Sequence, residues 1–404
     1  MASVRPFRAL RPRPDLASRV AAVPYDVVST EEARALAAGN PLSFLRVSRA
    51  EIDLPPGVNP YADEVYARAA ANFRGLAESM VQDAQAAVYV YRLRMGDHEQ
   101  TGVAACYSVD EYARDIVKKH ERTRRDKEDD RTRHIVELRA QTGPVFLTYR
   151  KHPRIDAVVA AVTATAPLYD LVADDGVAHA IWRADADATA EIVAGFATLP
   201  ALYIADGHHR AASAARAHAT FAGEDDREAE HAWFLAVAFP DDQTQILPYN
   251  RVVKDLQGRS PEAFLSAVRA RFHVETGSAT PVRKGDCGMF VGGAWYTVRL
   301  RADGPETNDP IRSLDVSLLQ EGVLSPLLGV EDPRTDKRID FVGGARGTLE
   351  LERLVASGAA AVAFSMYPVT VAELMAIADA GSIMPPKSTW FEPKLRDGLL
   401  SHLI

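Results

Sequence analysis

Apolar residues follow two different spacings along the chain, and each change of spacing marks an element. Around Met95-Gly96-Asp97, alternating positions at 87–93 (AVYVYRL) and 101–109 predict two strands joined by a turn. Short apolar runs at 44–47, 145–149 and 199–205 read as further strands, and 168–172 with 176–182 as another strand pair. The run at 233–239 (WFLAVAF) is continuous, as expected of a strand buried on both faces. Helical spacing covers 60–80, 185–196 and 211–219, and Ser29 or Thr30 caps a short helix reaching Ala38. A charged loop is expected at 224–230.

Beyond about 260 the pattern changes to a helix at 261–271, a hairpin-like pair at 288–291 and 295–300, and two strand-helix units. Those units are 339–342 with 348–357, and 359–365 with 371–380. The chain therefore reads as mixed α/β with two domains, 1–257 and 258–404, the second a small α/β sandwich. The tail at 383–394 is extended, because its prolines remove donors and fix φ.

The stretch Asp206-Gly207-His208-His209-Arg210 sits between a strand and an alanine-rich helix. Asp206 suits an N-cap, Gly207 a close backbone approach, and the free N–H groups of the first helical turn an anion. Arg210 can fork onto phosphate oxygens, while His208 and His209 offer donors or a metal ligand. The competing reading is a capped turn with surface histidines.

The segment 118–134 (KKHERTRRDKEDDRTRH) holds eight basic and five acidic side chains. Its plain reading is a solvated helical face. However, His120, Lys127, His134 and Gln141 recur every seven residues with Thr123 and Asp130 between them, and such a stripe, with Arg131 beside it, could hold phosphates. Asn250 and Arg251 are secondary candidates, on the reading that their strand leaves the buried 233–239 strand's sheet at the ligand-binding end. In the tail, Lys387, Ser388 and Thr389 can reach a phosphate and Trp390 can stack on a flat ring, the alternative being a tail anchored by aromatics.

With 404 residues and 47% hydrophobic content the chain can bury a large core. A net charge of -8 and a pI near 5.8 argue against a general nucleic-acid binder. Two cysteines exclude a disulfide framework, and no run of 18 apolar residues occurs, so a cytoplasmic location away from membranes is expected. Walker-A, kinase, nucleophile-elbow and HExxH motifs are absent, and 343–347 (GGARG) is only a partial glycine pattern.

The blocks PFRALRP, VPYDVVS, KHERTRRDKEDDR, YIADGHHRAA and IMPPKSTWFEPKLR resemble the bacterial and archaeal proteins filed as domain of unknown function 1015, over essentially the whole chain. The DGHHR block is similar, more remotely, to the phosphate-binding turn of ParB-like domains, sulfiredoxin and free-serine kinases. That resemblance implies a ParB/sulfiredoxin-like core and phosphoryl transfer from ATP, ADP or pyrophosphate to a small hydroxyl, foremost free L-serine. It implies that the catalytic block Lys119-His120-Glu121 supplies the general base, Glu121, and that Lys119, His209 and Arg210 neutralise charge. It also implies Mg²⁺, with Asp206 as a ligand directly or through water. A ParB-like nucleotide-binding regulator and a phosphohydrolase using the same cradle are the alternatives.

Overall fold

The computed structural model describes residues 1–221, 228–301 and 309–404, so the charged loop expected at 224–230 lies largely outside the described residues. The chain divides into two units, Met1–Thr244 joined by Pro393–Ile404, and Gln245–Glu392. The division falls at 244 instead of near 257 because Tyr249–Val253 pairs on both sides with strands of the second unit. The last residues return to the first unit: Asp397 bridges Ala22, Ser401 bridges Leu10, and His402–Leu403 pairs with Ala140–Gln141.

Among the described residues of the first unit, nine strands make one mixed sheet. They are β1 (Val4–Arg5), β2 (Tyr89–Met95), β3 (His98–Ser108), β4 (Val117–Lys118), β5 (Val145–Tyr149), β6 (Tyr169–Val172), β7 (Ala178–Arg183), β8 (Leu202–Asp206) and β9 (Trp233–Pro240). The order is β4-β8-β5-β9-β3-β2-β7-β6, with β1 also paired to β3. β8 runs parallel to β4, and Tyr203 lies opposite Lys118. Parallel neighbours release the chain at the same end of the sheet, so the segments that follow β4 and β8 emerge side by side.

Helices α1 (Asp63–Ala77), α2 (Arg125–Leu138), α3 (Pro153–Thr163), α4 (Ala186–Phe196) and α5 (His208–Phe221) flank this sheet. Ser213 Oγ of α5 donates to the Glu128 carbonyl of α2 at 3.1 Å, and Tyr66 of α1 donates to Asp130 of α2 at 2.8 Å. The core gathers Tyr107, Leu147, Phe196, Ile204, Ala211, Ala214 and Phe234, and a second cluster gathers Phe44, Leu45, Val47, Val65 and Phe73.

Two sequence expectations change here. Residues 44–47 do not form a strand, since Leu45–Ser48 is a helical turn. Phe44, Leu45 and Val47 are all buried in one cluster, whereas adjacent residues of a strand point to opposite faces. The charged helix begins at Arg125, not 118, so His120 and Thr123 sit in a connecting segment and Gln141 in a strand. Lys127, Asp130 and His134 alone of the seven-residue stripe remain on α2.

Among its described residues the second unit holds a six-stranded antiparallel sheet, in the order His273–Thr276, Ala294–Arg299, Asp286–Val291, Val362–Met366, Tyr249–Val253 and Ile339–Gly343. Helices Gly347–Ala356 and Val371–Asp379 follow two of these strands, as the strand-helix pattern predicts. Asn250 and Arg251 therefore belong to this sheet and not to that of β9, because the single apolar strand pattern does not specify its partner. No helix among the described residues is long and apolar enough to cross a membrane.

Candidate functional site

The turn between β8 and α5 requires Gly207. Its φ is +90°, and a Cβ there would stand 3.0 Å from Arg210 Nε and 3.1 Å from Cζ. Gly207→Ala is expected to cost about 1–3 kcal/mol through backbone strain. A urea midpoint equal to that of the wild type would refute this.

Around the turn, charges converge from distant parts of the chain. Arg210, 8% exposed, donates through NH2 to Asp206 at 3.0 Å and through NH1 to the Pro144 carbonyl, and NH2 lies 3.9 Å from Asp26. Lys394, from the C-terminal segment, brings its ammonium to 3.6 Å from Asp206. Burial opposes ionisation of Asp206, but Lys394 and Arg210 outweigh it and hold the carboxyl below the usual range.

The segment after β4 meets the same turn. The His120 N–H donates to His208 Nε2 at 3.3 Å, and the Arg124 N–H donates to His209 Nε2 at 3.0 Å. An accepting Nε2 places the proton of each neutral ring on Nδ1. His208 Nδ1 is 3.8 Å from Glu121 Oε2, and the Glu121 side chain is 50% exposed. The rings of His120 and His208 meet edge to face at 4.4 Å. Burial lowers the pKa of both, to about 4 for His120, so both are neutral at pH 7.

The sequence pattern of the family described as protein of unknown function DUF1015 matches residues 4–317. The chain is a DUF1015 protein. Among solved structures, SbnI with a C-terminal truncation from Staphylococcus aureus is 12% identical, over 73% of this chain and 85% of its own, at a TM-score of 0.38. A conserved hypothetical protein from Pyrococcus furiosus is 14% identical over 74% and 94%, at 0.34. A free serine kinase in complex with ADP is 13% identical over 74% and 92%, at 0.35. No curated protein matches.

Other expected residues of the DUF1015 chain are placed differently. Lys119 turns away from the turn, donating to the Tyr112 carbonyl at 2.8 Å and lying 3.4 Å from Asp115. Gln141 is structural, bridging Trp233 and Leu235 of β9. On α2, Lys127 donates to Tyr61 at 2.9 Å, Arg131 donates to Asp130 at 2.8 Å, and His134 Nε2 donates to the Val47 carbonyl at 3.0 Å.

Asn250, Arg251, Lys387, Ser388, Thr389 and Trp390 lie in the second unit. Asn250 accepts from the Met366 N–H, Arg251 donates to the Lys387 carbonyl at 3.1 Å, and Ser388 donates to the Pro385 carbonyl. Trp390 packs on Tyr249 and donates to Glu392. Asp26, Lys394 and Asp397 were missed as site residues. The VPYDVVS and FEPKLR blocks contain Asp26 and Lys394, and Asp397 directly follows the second, but neither stretch has a local pattern that signals a ligand.

The residues present do not fit Mg²⁺ bound directly by Asp206. Its Oδ2 is shared by a guanidinium and an ammonium, which favours an anion at this end of the turn. Among the described residues no group of three or more His, Cys, Asp or Glu is arranged to hold a metal.

Buried neutral histidines make stability depend on pH. Burial sets His120 and His134 at about 4 and His179 at about 3, with His208 also well below its ordinary value. In the unfolded chain they titrate near ~6.5, so their contribution is complete above that pH and is lost as pH falls toward 4. Asp397 and Asp315, raised by burial to about 7 and about 6, act in the opposite sense but are outnumbered. The urea midpoint is expected to fall between pH 7 and 4.5; a constant midpoint would reject this account.

Proposed function

We propose that this protein moves a terminal phosphoryl group from a nucleotide or pyrophosphate to a small-molecule hydroxyl. L-serine is the acceptor that the family resemblance implies. The observation that carries the proposal is the meeting of Glu121 with the 206–210 turn, where a half-exposed carboxylate stands 3.8 Å from the neutral ring of His208.

The backbone N–H groups that open α5 hold the phosphoryl oxygens, and Arg210 and Lys394 balance their charge. The neutral His208 keeps its Nδ1 proton available as a donor. Glu121 accepts the proton of the acceptor hydroxyl while the new P–O bond forms and the bond to the donor's bridging oxygen breaks, leaving the shortened donor as an oxyanion. No step is assigned to a metal ion. The exposure of Glu121 also favours a second reading, phosphohydrolysis, because water can reach the same carboxylate.

Phosphorus NMR of the full chain with L-serine and, separately, ATP, ADP or pyrophosphate tests the proposal. A new phosphomonoester signal is the expected result. Inorganic phosphate alone would favour the hydrolase, and unchanged spectra in every tube would overturn transfer in favour of a binding module.

A further inference from the structure

Behind the turn, within the first unit, lies a cavity of about 40 Å³ lined by Tyr25, Ser48, Arg131, Thr142, Arg210 and Asp397, among others. A second cavity of about 70 Å³ shares Tyr25, Ser48, Arg131 and His134 with it. One water occupies roughly 10–15 Å³ on this measure, so the two have room for a small organic molecule.

The lining carries both signs of charge. Arg131 lies over the Tyr25 ring at 4.1 Å and is held by Asp130 and the Ser48 carbonyl. Arg210 places one nitrogen on Asp206 and another on the Pro144 carbonyl, while its buried Nε has no hydrogen-bond partner among the described residues. Asp397 is 3% exposed and makes no ion pair at contact distance with either arginine among the described residues. Burial raises its carboxyl to about 7, against the pull of Arg210, Arg131 and Arg396 and with the help of Asp26. The wall between these charges is kept open by Gly143, where a Cβ would lie 3.2 Å from Asp397 Oδ1 and 3.4 Å from Arg210 Cδ.

A buried guanidinium nitrogen without an acceptor and a buried carboxylate without a cation at contact distance are each costly alone. One ligand bearing a carboxylate and an ammonium satisfies both. We propose that these cavities receive the main-chain head of a free amino acid, its carboxylate on Arg131 and the Nε of Arg210, its ammonium on Asp397. The inference deepens the phosphoryl-transfer reading and rests on it for the fate of the ligand, since Arg210 also reaches Asp206 in the turn. A molecule with only one of the two charges leaves the other partner buried and unpaired, which is the basis of selection.

Calorimetry of the full chain without a phosphoryl donor tests the inference with three probes. L-serine has both charges, L-glycerate lacks the ammonium, and ethanolamine lacks the carboxylate. The wild type is expected to bind L-serine at least about ten-fold tighter than either analogue, the effect of one lost charge-assisted contact. Asp397→Asn should abolish the preference for serine over glycerate, Arg131→Lys should weaken both, and Gly143→Ala should weaken serine by narrowing the cavity. Equal binding of the three probes, or no binding of any, would overturn the inference without reference to a variant. Transfer from a donor to glycerate but not to serine would also sink it and leave phosphoryl transfer standing. Serine binding with no transfer from any donor would support it and remove the transfer reading.

Discussion

Glu121→Gln lowers phosphoryl-transfer turnover by about 10²- to 10⁴-fold, the range typical of a lost general base, with donor affinity changed by no more than a few fold. The amide has the shape of the carboxylate and cannot accept a proton. The side chain is half exposed, so the change leaves no cavity in the core. Its neighbour His208 is neutral, so the 3.8 Å contact between the two is not an ion pair that the change would break. Single-turnover rates beside equilibrium donor binding separate the two effects. Near wild-type turnover in the variant would remove Glu121 from the mechanism.

Arg210→Ala has the second large effect, on stability as well as binding. Asp206 loses its 3.0 Å partner, and Asp26 and Asp397 lose a cation that lowers the cost of their charge. Removing one member of a fully buried pair costs about 3–5 kcal/mol, and the loss here is expected toward the low end because the Asp206 side chain is 32% exposed and keeps Lys394 at 3.6 Å. The sign of the pH dependence is fixed by the same groups. Without Arg210 the folded-state pKa values of Asp206 and Asp397 rise, so the variant loses most stability, relative to wild type, as pH increases from about 4 to 8. Urea midpoints at pH 5 and 8 check this. Arg210→Lys should recover part of the stability through its charge but not the paired contacts to Asp206 and the Pro144 carbonyl, which need the planar fork. A stability loss independent of pH would place the cost in packing instead of charge.

Several elements were legible because one local rule decided each. Ser29 or Thr30 marks the helix start, where Ser29 caps Thr30–Leu36 with Glu32 completing the box, and Met95-Gly96-Asp97 marks the turn between β2 and β3. The Asp206–Arg210 turn was readable for the same reason, since an apolar run, a glycine and an alanine-rich run admit one order of elements. The helix expected from 118 failed at its start. Residues 119–124 do not continue the helix, because their backbone N–H groups at His120 and Arg124 are used on the two histidines of the turn.

By itself the sequence determined the strand, turn and helix around Gly207, the mixed α/β alternation and the residue types available for phosphate chemistry. Tertiary structure alone decided which of those residues meet. Parallel pairing of Val117–Lys118 with β8 sets Glu121 beside His208 across 87 residues, and the returning C-terminal segment delivers Lys394 and Asp397 from almost 190 residues away. It also decided protonation, because the charge state of His120, His208 and Asp397 follows from burial and from charges on other segments. Periodicity records only which face of an element is buried; distances between segments far apart in sequence, and the desolvation that shifts a pKa, exist only once the chain is packed.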